Sequence, residues 1–287
     1  MSELAWGDII KCPRSGRSAK PHETGITMVL DAGKGLYETE DILNLCGSFI
    51  DHWKLSFGTS VFMQTDAIKE KLQLLADHDV LTYPGGTLLE VALVDHHCKV
   101  FMKRARELGF TAVEISDGTI PIPRFRRKKI IDCAISENLI PVTEVGKKDP
   151  NNQPAPDQLA EEALEDLEWG AKWVVIEGRE FGTGIGVFDM HGQVEEDQVE
   201  RISKIMGDKV DRLIWEAPQK NQQAVLIKKF GTNVGLGNIP PDQILAIESL
   251  RNGLRFETLH EVTNYLLKSG RWDPNQTEDD LAKLIIS

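Results

Sequence analysis

The chain has little positive charge. Its 287 residues include 45 acidic and 33 basic side chains, which gives a formal net charge of −12. Proteins that bind nucleic acid or anionic lipid generally present a basic surface, so we expect neither nucleic acid nor a membrane among its partners. An anionic ligand would have to be held by a local group of cations that overcomes the overall negative charge.

Long apolar runs and paired cysteines are also missing. No stretch approaches the roughly 18 apolar residues that a membrane span needs, and residues 1–20 lack the apolar segment of a signal peptide. The four cysteines form no Cys-x-x-Cys pair, which argues against a zinc site and against a disulfide framework. We therefore expect a cytoplasmic protein with free thiols.

Short apolar runs of strand length recur along the chain, and six of them end in a charged residue. These end residues are Asp31, Lys54, Glu114, Glu144, Glu177 and Glu216. Two further strand-like segments, 80–83 and 233–236, fill the gaps, and a helix-like stretch follows each of the eight. This alternation predicts a parallel sheet, and eight units favour a closed (β/α)8 TIM barrel over an open doubly wound sheet.

The prediction for the whole chain is a single α/β domain with two extensions. Residues 1–24 are rich in Ser, Gly, Lys and Pro and form an irregular N-terminal arm. Residues 25–258 form the barrel, and residues 259–287 form a C-terminal helical extension. Within the barrel, the spacing of apolar residues predicts one long helix over 88–108.

Charged strand ends should meet at one mouth of such a barrel. Glu144 and Lys148 point to the same side if the chain stays extended between them. A carboxylate beside a lysine can bind a metal ion and leave an ammonium group as a proton donor. The alternative is a solvated pair of lysines at 147 and 148. Glu114, which precedes two more strand residues, is expected to be structural and inside the barrel.

Other residues near strand ends could hold an anion. Lys54 lies in a buried run and needs either a carboxylate, with Asp31 as a natural partner, or an anionic ligand. Arg179 could bind an anion through two donors, or form an ordinary surface pair with Glu180. Turns at strand ends add backbone N–H groups and polar side chains. The residues concerned are Gly85, Gly86, Thr87, Gln219, Lys220 and Asn238. The glycine-rich segment 182–186 fails the spacing of nucleotide-binding loops and favours a lid.

Seven segments together resemble the phosphosulfolactate synthase family. They read KLSFGTS (54–60), YPGGTLLE (83–90), EISDGT (114–119), TEVGKK (143–148), IEGRE (176–180), EAPQKNQQ (216–223) and LRNGLR (250–255). Each is moderately specific alone, and their joint order is highly specific. The chain departs from the family pattern at Ala32, in place of a lysine, at Phe181, in place of a serine, and at Phe256-Glu257, in place of Gly-Asp.

The resemblance implies a TIM-type barrel that catalyses a Mg²⁺-dependent addition of sulfite to phosphoenolpyruvate. The product would be (2R)-phospho-3-sulfolactate, and in archaea this reaction opens the route to coenzyme M. Members of the family tend to assemble, so a homo-oligomer is expected.

The resemblance also assigns roles to residues of the mouth. Mg²⁺ would be held by Glu144 and Glu177, with Asp117 or Glu216 as a further ligand. A lysine would protonate C2 of the substrate, with Lys148 favoured over Lys147. Sulfite or phosphate would be held by Lys54 and Arg179.

Two alternatives remain open. One is a different metal-dependent lyase or aldolase on the same barrel, which acts on another phospho-acid. The other follows from distant plant relatives, which are heat-stress-associated proteins, and is a non-catalytic stress or interaction protein. The presence of Glu144, Lys148, Glu177 and Arg179 argues against the second alternative, and failure to bind a divalent metal and substrate would argue for it.

Overall fold

A computed structural model describes residues 5–277 and shows strands and helices in alternation. The strands are β1 (Thr27–Asp31), β2 (His52–Leu55), β3 (Leu81–Pro84), β4 (Ala112–Ile115), β5 (Ile140–Val145), β6 (Trp173–Ile176), β7 (Leu213–Glu216) and β8 (Gly235–Ile239). The α-helices in these residues are α1 (Leu36–Cys46), α2 (Thr65–Asp77), α3 (Gly86–Val94), α4 (Cys98–Leu108), α5 (Arg124–Ser136), α6 (Pro156–Glu168), α7 (Glu196–Met206), α8 (Lys220–Phe230), α9 (Ile244–Arg251) and α10 (Phe256–Lys268).

The eight strands form one parallel sheet that closes on itself. Neighbouring strands follow the order β3-β2-β1-β8-β7-β6-β5-β4. The two ends of this order meet, because Thr111 N donates to Thr82 O at 3.2 Å and Thr82 N donates to Thr111 Oγ1 at 2.9 Å. The predicted (β/α)8 barrel is therefore confirmed.

The apolar side chains form two layers on opposite faces of the strands. A small inner cluster fills the barrel, and a larger outer cluster lies between the sheet and the helices. Inner residues alternate with outer ones along a strand, so Met28 points inward and Val29 outward. The same alternation turns Glu114 and Glu144 inward at the carboxyl ends of β4 and β5, above the apolar residues Ala112 and Val142.

The predicted long helix over 88–108 is wrong. Two helices, α3 and α4, occupy this region, and His96 between them has a φ of +59°. His97 N donates to Ala92 O at 2.8 Å and closes the turn. Both helices turn apolar residues to the barrel, so the apolar spacing continues across a break that neither glycine nor proline marks.

Strand β8 lies further along the chain than the predicted 233–236, and it includes Asn238, which was expected in the following loop. The glycines at 235 and 237 explain the error. Turn glycines usually supply unusual backbone angles, but here a Cβ at Gly235 would overlap Leu213 O and one at Gly237 would overlap the Met28 side chain. Glycine in this strand therefore permits close approach to neighbouring strands.

The described part of the N-terminal arm closes the amino end of the barrel. Lys20 Nζ donates to the carbonyl oxygens of Gly47, Ile50 and His78 at 3.1, 2.7 and 2.7 Å. The predicted C-terminal extension contains most of α10, and its residues 278–287 lie outside the described residues. Between residues 5 and 277, no helix combines the length and the apolar character needed to cross a membrane.

Candidate active site

A cavity of about 240 Å³ opens at the carboxyl ends of the strands, where the sequence predicts the site. Ten of the predicted residues line it, namely Lys54, Gly85, Gly86, Thr87, Glu144, Lys148, Glu177, Arg179, Glu216 and Asn238. They come from segments far apart in sequence, because each strand delivers its last residues to the same mouth.

Three buried glutamates form a compact carboxylate group in this cavity. Glu144 ends β5, Glu216 ends β7, and Glu177 directly follows β6. Each is at most 2% exposed, and each offers an oxygen that lies within 4.8 Å of those offered by the other two. In the part of the chain that the structure describes, this is the one group of acidic, histidine or cysteine side chains close enough to hold a metal ion.

Lys54 lies among these carboxylates. Its Nζ is 2.8 Å from Glu114 Oε2, 3.1 Å from Glu216 Oε1 and 3.3 Å from Glu144 Oε2. Burial lowers the pKa of the Lys54 ammonium, but the surrounding carboxylates outweigh it and hold that pKa well above its usual value. The buried lysine therefore carries a permanent charge that offsets part of the negative charge of the glutamates.

Asp31, the expected partner of Lys54, lies on the other face of the sheet. Lys54 pairs in register with Leu30, so Asp31 is one residue out of step and points outward. There its carboxylate binds the ammonium of Lys71 and accepts a hydrogen bond from Trp53 Nε1 at 2.8 Å. The expected pair is therefore wrong.

Glu114 lies inside the barrel, as expected, and links Lys54 to the start of helix α3. Its Oε1 accepts a hydrogen bond from Gly86 N at 2.7 Å, while Oε2 meets Lys54. Burial raises the pKa of Glu114 to about 7, although Lys54 opposes the shift. The carboxylate thus positions both the buried lysine and the Gly85-Gly86-Thr87 turn.

Glu144 and Lys148 face the same side, as the sequence predicts. Lys148 Nζ is 3.7 Å from Glu144 Oε1 and 3.7 Å from Glu177 Oε2, and it donates to Thr87 Oγ1 at 2.9 Å. Burial disfavours the charged lysine, but the two carboxylates outweigh this effect and raise the pKa of Lys148 above its ordinary value. Lys148 is therefore protonated throughout the physiological pH range.

Three carboxylate oxygens of cavity residues accept no hydrogen bond from the described residues, namely Glu114 Oε2, Glu144 Oε1 and Glu177 Oε2. Glu114 Oε2 forms the ion pair with Lys54 at 2.8 Å, which leaves Glu144 Oε1 and Glu177 Oε2 without a close contact. Burial opposes the ionisation of Glu144, but Lys148 and Lys54 lower its pKa to about 2, whereas burial and the nearby Glu144 raise the pKa of Glu177 well above its usual value. Buried oxygens from two carboxylates that accept no hydrogen bond, and that face the Lys148 ammonium only at 3.7 Å, suit a small hard cation such as Mg²⁺, which prefers oxygen ligands. The residues present thus fit a divalent metal ion.

Arg179 and Asn238 lie in contact above the glutamates, and each of them has an unusual backbone conformation. Both have positive φ values, +57° and +56°, which are uncommon outside glycine. Arg179 N donates to Glu177 Oε1 at 2.8 Å and to Glu216 Oε2 at 3.1 Å. Asn238 Nδ2 donates to Arg179 O at 3.0 Å, so the backbone of Arg179 is held on both sides. Arg179 lines the cavity, and its guanidinium is 3.7 Å from Glu180 Oε1.

The structure places two predicted residues of the fourth and fifth units away from the glutamates. Lys147 Nζ binds Asp117 Oδ2 at 2.5 Å and Asp117 O at 2.8 Å, and neither residue lines the cavity. Asp117 also faces the guanidinium of Arg127 at 3.4 Å. Both lysines lie in the loop after β5, and of the two only Lys148 turns to Glu144.

Gln219 and Lys220 also lie outside the cavity. Gln219 Nε2 donates to Phe181 O at 2.6 Å and so holds the loop that follows β6. Lys220 forms an ion pair with Glu257, one of the positions where the chain departs from the family pattern. The two residues begin helix α8 and act on neighbouring segments.

Arg127 is a residue beside the site that the sequence reasoning missed. Its guanidinium is buried, donates to Glu144 O at 2.9 Å, and pairs with Asp166 at 2.6 Å. It therefore fixes the end of β5 from outside the barrel. Arg127 shares the buried face of α5 with Ile130, Ile131 and Ala134, and this helical spacing was the available signal.

The comparisons with known proteins agree with this site. Residues 15–257 match the family described as (2R)-phospho-3-sulfolactate synthase (ComA). The phosphosulfolactate synthase of Methanothermobacter thermautotrophicus is 40% identical over 89% of this chain and 98% of its own length. The enzyme of the same name from Bacillus subtilis is 35% identical over 84% of this chain and 95% of its own.

Solved structures show the same fold at low identity. The YdjI aldolase from Escherichia coli K12 superposes with a TM-score of 0.52 at 10% identity, over 85% of this chain and 90% of that chain. This likeness concerns the barrel alone. The family match and the curated relatives span most of the chain, and with them the segments that build the cavity. The chain belongs to the (2R)-phospho-3-sulfolactate synthase family.

Proposed function

We propose that this enzyme adds sulfite to phosphoenolpyruvate and forms (2R)-phospho-3-sulfolactate, with Mg²⁺ as cofactor and Lys148 as general acid. The observation that carries the proposal is the arrangement in one cavity of a protonated lysine beside two carboxylates with unpartnered oxygens. The addition needs a means of stabilising charge on the substrate carboxylate and a proton for C2, and this arrangement can provide both.

Glu144 and Glu177 are the proposed metal ligands, and Glu216 lies close enough to contribute. Both oxygens of Glu216 already have partners, since Oε1 meets Lys54 and Oε2 accepts hydrogen bonds from the N–H groups of Gly178 and Arg179. Glu144 and Glu177 each keep one oxygen that accepts no hydrogen bond and faces the Lys148 ammonium at 3.7 Å. When bound, Mg²⁺ would stabilise negative charge that develops on the substrate carboxylate.

The chain's own groups account for the proton that the reaction requires. The sulfur lone pair of sulfite forms a bond to C3 of phosphoenolpyruvate, and the π electrons of the C2–C3 double bond move to C2 and its carboxylate. The Lys148 ammonium then gives a proton to C2 and is reprotonated from solvent, which balances the addition. Its raised pKa ensures that the proton is present at neutral pH.

Arg179 is the proposed ligand for the phosphate or the sulfite. Arg179 lines the cavity and its side chain is 39% exposed, and a guanidinium binds such oxyanions through two parallel N–H groups. Lys54 is less suited to direct contact, since three carboxylates surround its ammonium. We propose that it acts mainly by reducing the negative charge that two anionic substrates would meet.

A ³¹P NMR time course of the purified protein with phosphoenolpyruvate, sulfite and Mg²⁺ tests the proposal. The expected result is a new phosphate-ester resonance that requires both sulfite and metal, disappears with EDTA, and has the mass of the sulfite adduct. Consumption of phosphoenolpyruvate without that adduct would favour another lyase or aldolase. Folded, metal-loaded protein without turnover would favour a non-catalytic role, and Ala32→Lys and Phe181→Ser would then be the first reversions to examine.

A further inference from the structure

The ammonium of Lys148 is held by one short contact and two long ones. Its Nζ lies 2.9 Å from Thr87 Oγ1, but 3.7 Å from Glu144 Oε1 and Glu177 Oε2. The bond to Thr87 is the one hydrogen bond that this ammonium makes within residues 5–277, so two of its three N–H groups remain for the substrate. The two carboxylates therefore stabilise the positive charge of Lys148, while the threonine hydroxyl orients its ammonium group.

Thr87 is itself fixed relative to the barrel. It lies in the first turn of α3, directly after Gly86, whose N–H donates to Glu114 Oε1 at 2.7 Å. Gly86 packs so closely against Ser116 that a Cβ at this position would overlap the serine side chain. The start of α3 is thus anchored to β4, which fixes the backbone that carries the Thr87 hydroxyl.

The stem of Lys148 rests on Gly118. Lys148 N donates to Gly118 O at 3.1 Å, and a Cβ at Gly118 would lie 3.2 to 3.3 Å from three side-chain carbons of Lys148. These distances are shorter than ordinary carbon contacts, so any larger residue at 118 would push the lysine stem. The bare backbone at this position leaves room for the observed path of the side chain.

We propose that Thr87 and Gly118 are positioning residues for proton transfer. Thr87 orients the ammonium of Lys148 toward C2 of the substrate, and Gly118 gives the lysine stem its path into the cavity. Neither role is that of a substrate contact, which is the role the sequence suggests for Thr87. This inference rests on the proposed function, because it needs Lys148 to be the general acid.

Replacement of the threonine hydroxyl is the direct test. In ³¹P NMR assays with phosphoenolpyruvate, sulfite and Mg²⁺, we expect Thr87→Val to lower kcat by about 10- to 100-fold, the usual effect of losing a hydrogen bond to a charged group. KM should change by less than about threefold, and the solvent deuterium isotope effect on kcat should rise because proton transfer becomes slower. Thr87→Ser keeps the hydroxyl and should recover most of the lost kcat.

A second variant perturbs the lysine stem instead of its ammonium. Gly118 does not adopt a positive φ, so Gly118→Ala adds a contact without backbone strain. We expect kcat to fall about tenfold or more, since small displacements of a catalytic group are costly. Gly35→Ala is the matched control outside the site, where the added Cβ would meet only Glu38 at 3.8 Å, and it should keep wild-type kcat.

The outcomes separate this proposal from the proposed function. A wild-type protein that forms no sulfite adduct overturns both. If the wild type turns over and Thr87→Val keeps its kcat, or raises KM alone, the positioning role is overturned while the proposed function stands. If Gly118→Ala fails to fold, as judged by circular dichroism, the Thr87→Val and Thr87→Ser pair still decides the question.

Discussion

Lys147 and Lys148 are neighbours in sequence but have different surroundings. Lys148 lines the cavity, whereas the ammonium of Lys147 is bound to Asp117 outside it. We therefore expect Lys148→Ala to abolish turnover, with a loss of at least about 10³-fold in kcat, in the range for a removed general acid. Lys147→Ala should keep kcat within about tenfold and act mainly on KM. Steady-state kinetics by ³¹P NMR would measure both, and equal rates in the two variants would contradict the assignment.

The unpartnered oxygens of Glu144 and Glu177 lead to a prediction for metal binding. Glu144→Gln and Glu177→Gln should each weaken Mg²⁺ binding by at least about tenfold, because an amide oxygen lacks the charge of a carboxylate. Isothermal titration calorimetry with Mg²⁺ alone measures this without any substrate. Asp117→Asn is the matched control, since Lys147 and Arg127 already engage that carboxylate. Equal weakening in the control would place Asp117 in the metal shell.

Side-chain direction explains which residue roles could be predicted. Strand parity predicted that Glu144 and Lys148 meet, and they do, but β5 ends at Val145 and Gly146 has a φ of +121°, so the loop after the strand brings Lys148 back to Glu144. Strand parity could not identify the partners of Lys54, which lie on β4, β5 and β7. Contacts between segments so distant in sequence depend on the register of the closed barrel, and nothing in the local pattern encodes that register.

At the scale of elements, the glycine-rich loop after β6 is held by side chains from α8. Gln222 Nε2 donates to Gly182 O at 2.7 Å and to Gly192 O at 3.1 Å. Gln222→Leu should remove both bonds and speed amide hydrogen exchange across residues 181–192 by about tenfold, while the barrel strands keep their protection. Exchange followed by mass spectrometry measures this directly.

The adjacent glutamine provides the control for this loop. Gln223 is also buried on α8, but its Nε2 donates to Ala217 O at 2.9 Å and not to the loop. Gln223→Leu should therefore leave exchange in residues 181–192 as it is in the wild type. Unchanged exchange in Gln222→Leu would mean that the other contacts of the loop, such as Gln219 Nε2 to Phe181 O and Asn221 Nδ2 to Gly192 O, are enough to hold it.

The elements themselves were largely predictable, and the errors share a cause. Apolar spacing located eight strands and most helices. It wrongly predicted one helix where the turn at His96 separates two, and it placed the end of β8 too early. In both places glycine and proline, the residues that usually mark turns, were misleading guides. The turn at His96 contains no glycine or proline, whereas Gly235 and Gly237 lie within a strand because neighbouring strands approach closely.

At the scale of the whole molecule, closure of the barrel is what turns separate strand ends into a site. The chain has a net charge of −12, yet three of its cations, Lys54, Lys148 and Arg179, line one small cavity together with five glutamates. The count of βα units predicted this convergence, since a closed barrel leaves its strand ends no other arrangement. The contacts of Lys20 in the N-terminal arm could not be predicted in the same way, because they are to carbonyl groups, which every residue offers.

Stability of the whole molecule should depend on pH through His52, at the amino end of β2. The imidazole is fully buried between Tyr83 and Trp173, and burial lowers its pKa to about 4. In the unfolded chain the pKa is about 6.5, so between these values the unfolded state binds more protons and gains stability relative to the folded state. The free energy of unfolding should thus be unaffected by His52 above about pH 6.5 and should fall by about 3 kcal/mol as the pH drops to 4.

Urea denaturation at pH 8 and pH 5 measures the change, and His52→Gln should reduce the pH dependence relative to the wild type, whereas His97→Gln in an exposed turn should not. An equal slope in the wild type and in His52→Gln would mean that the buried imidazole does not carry this effect.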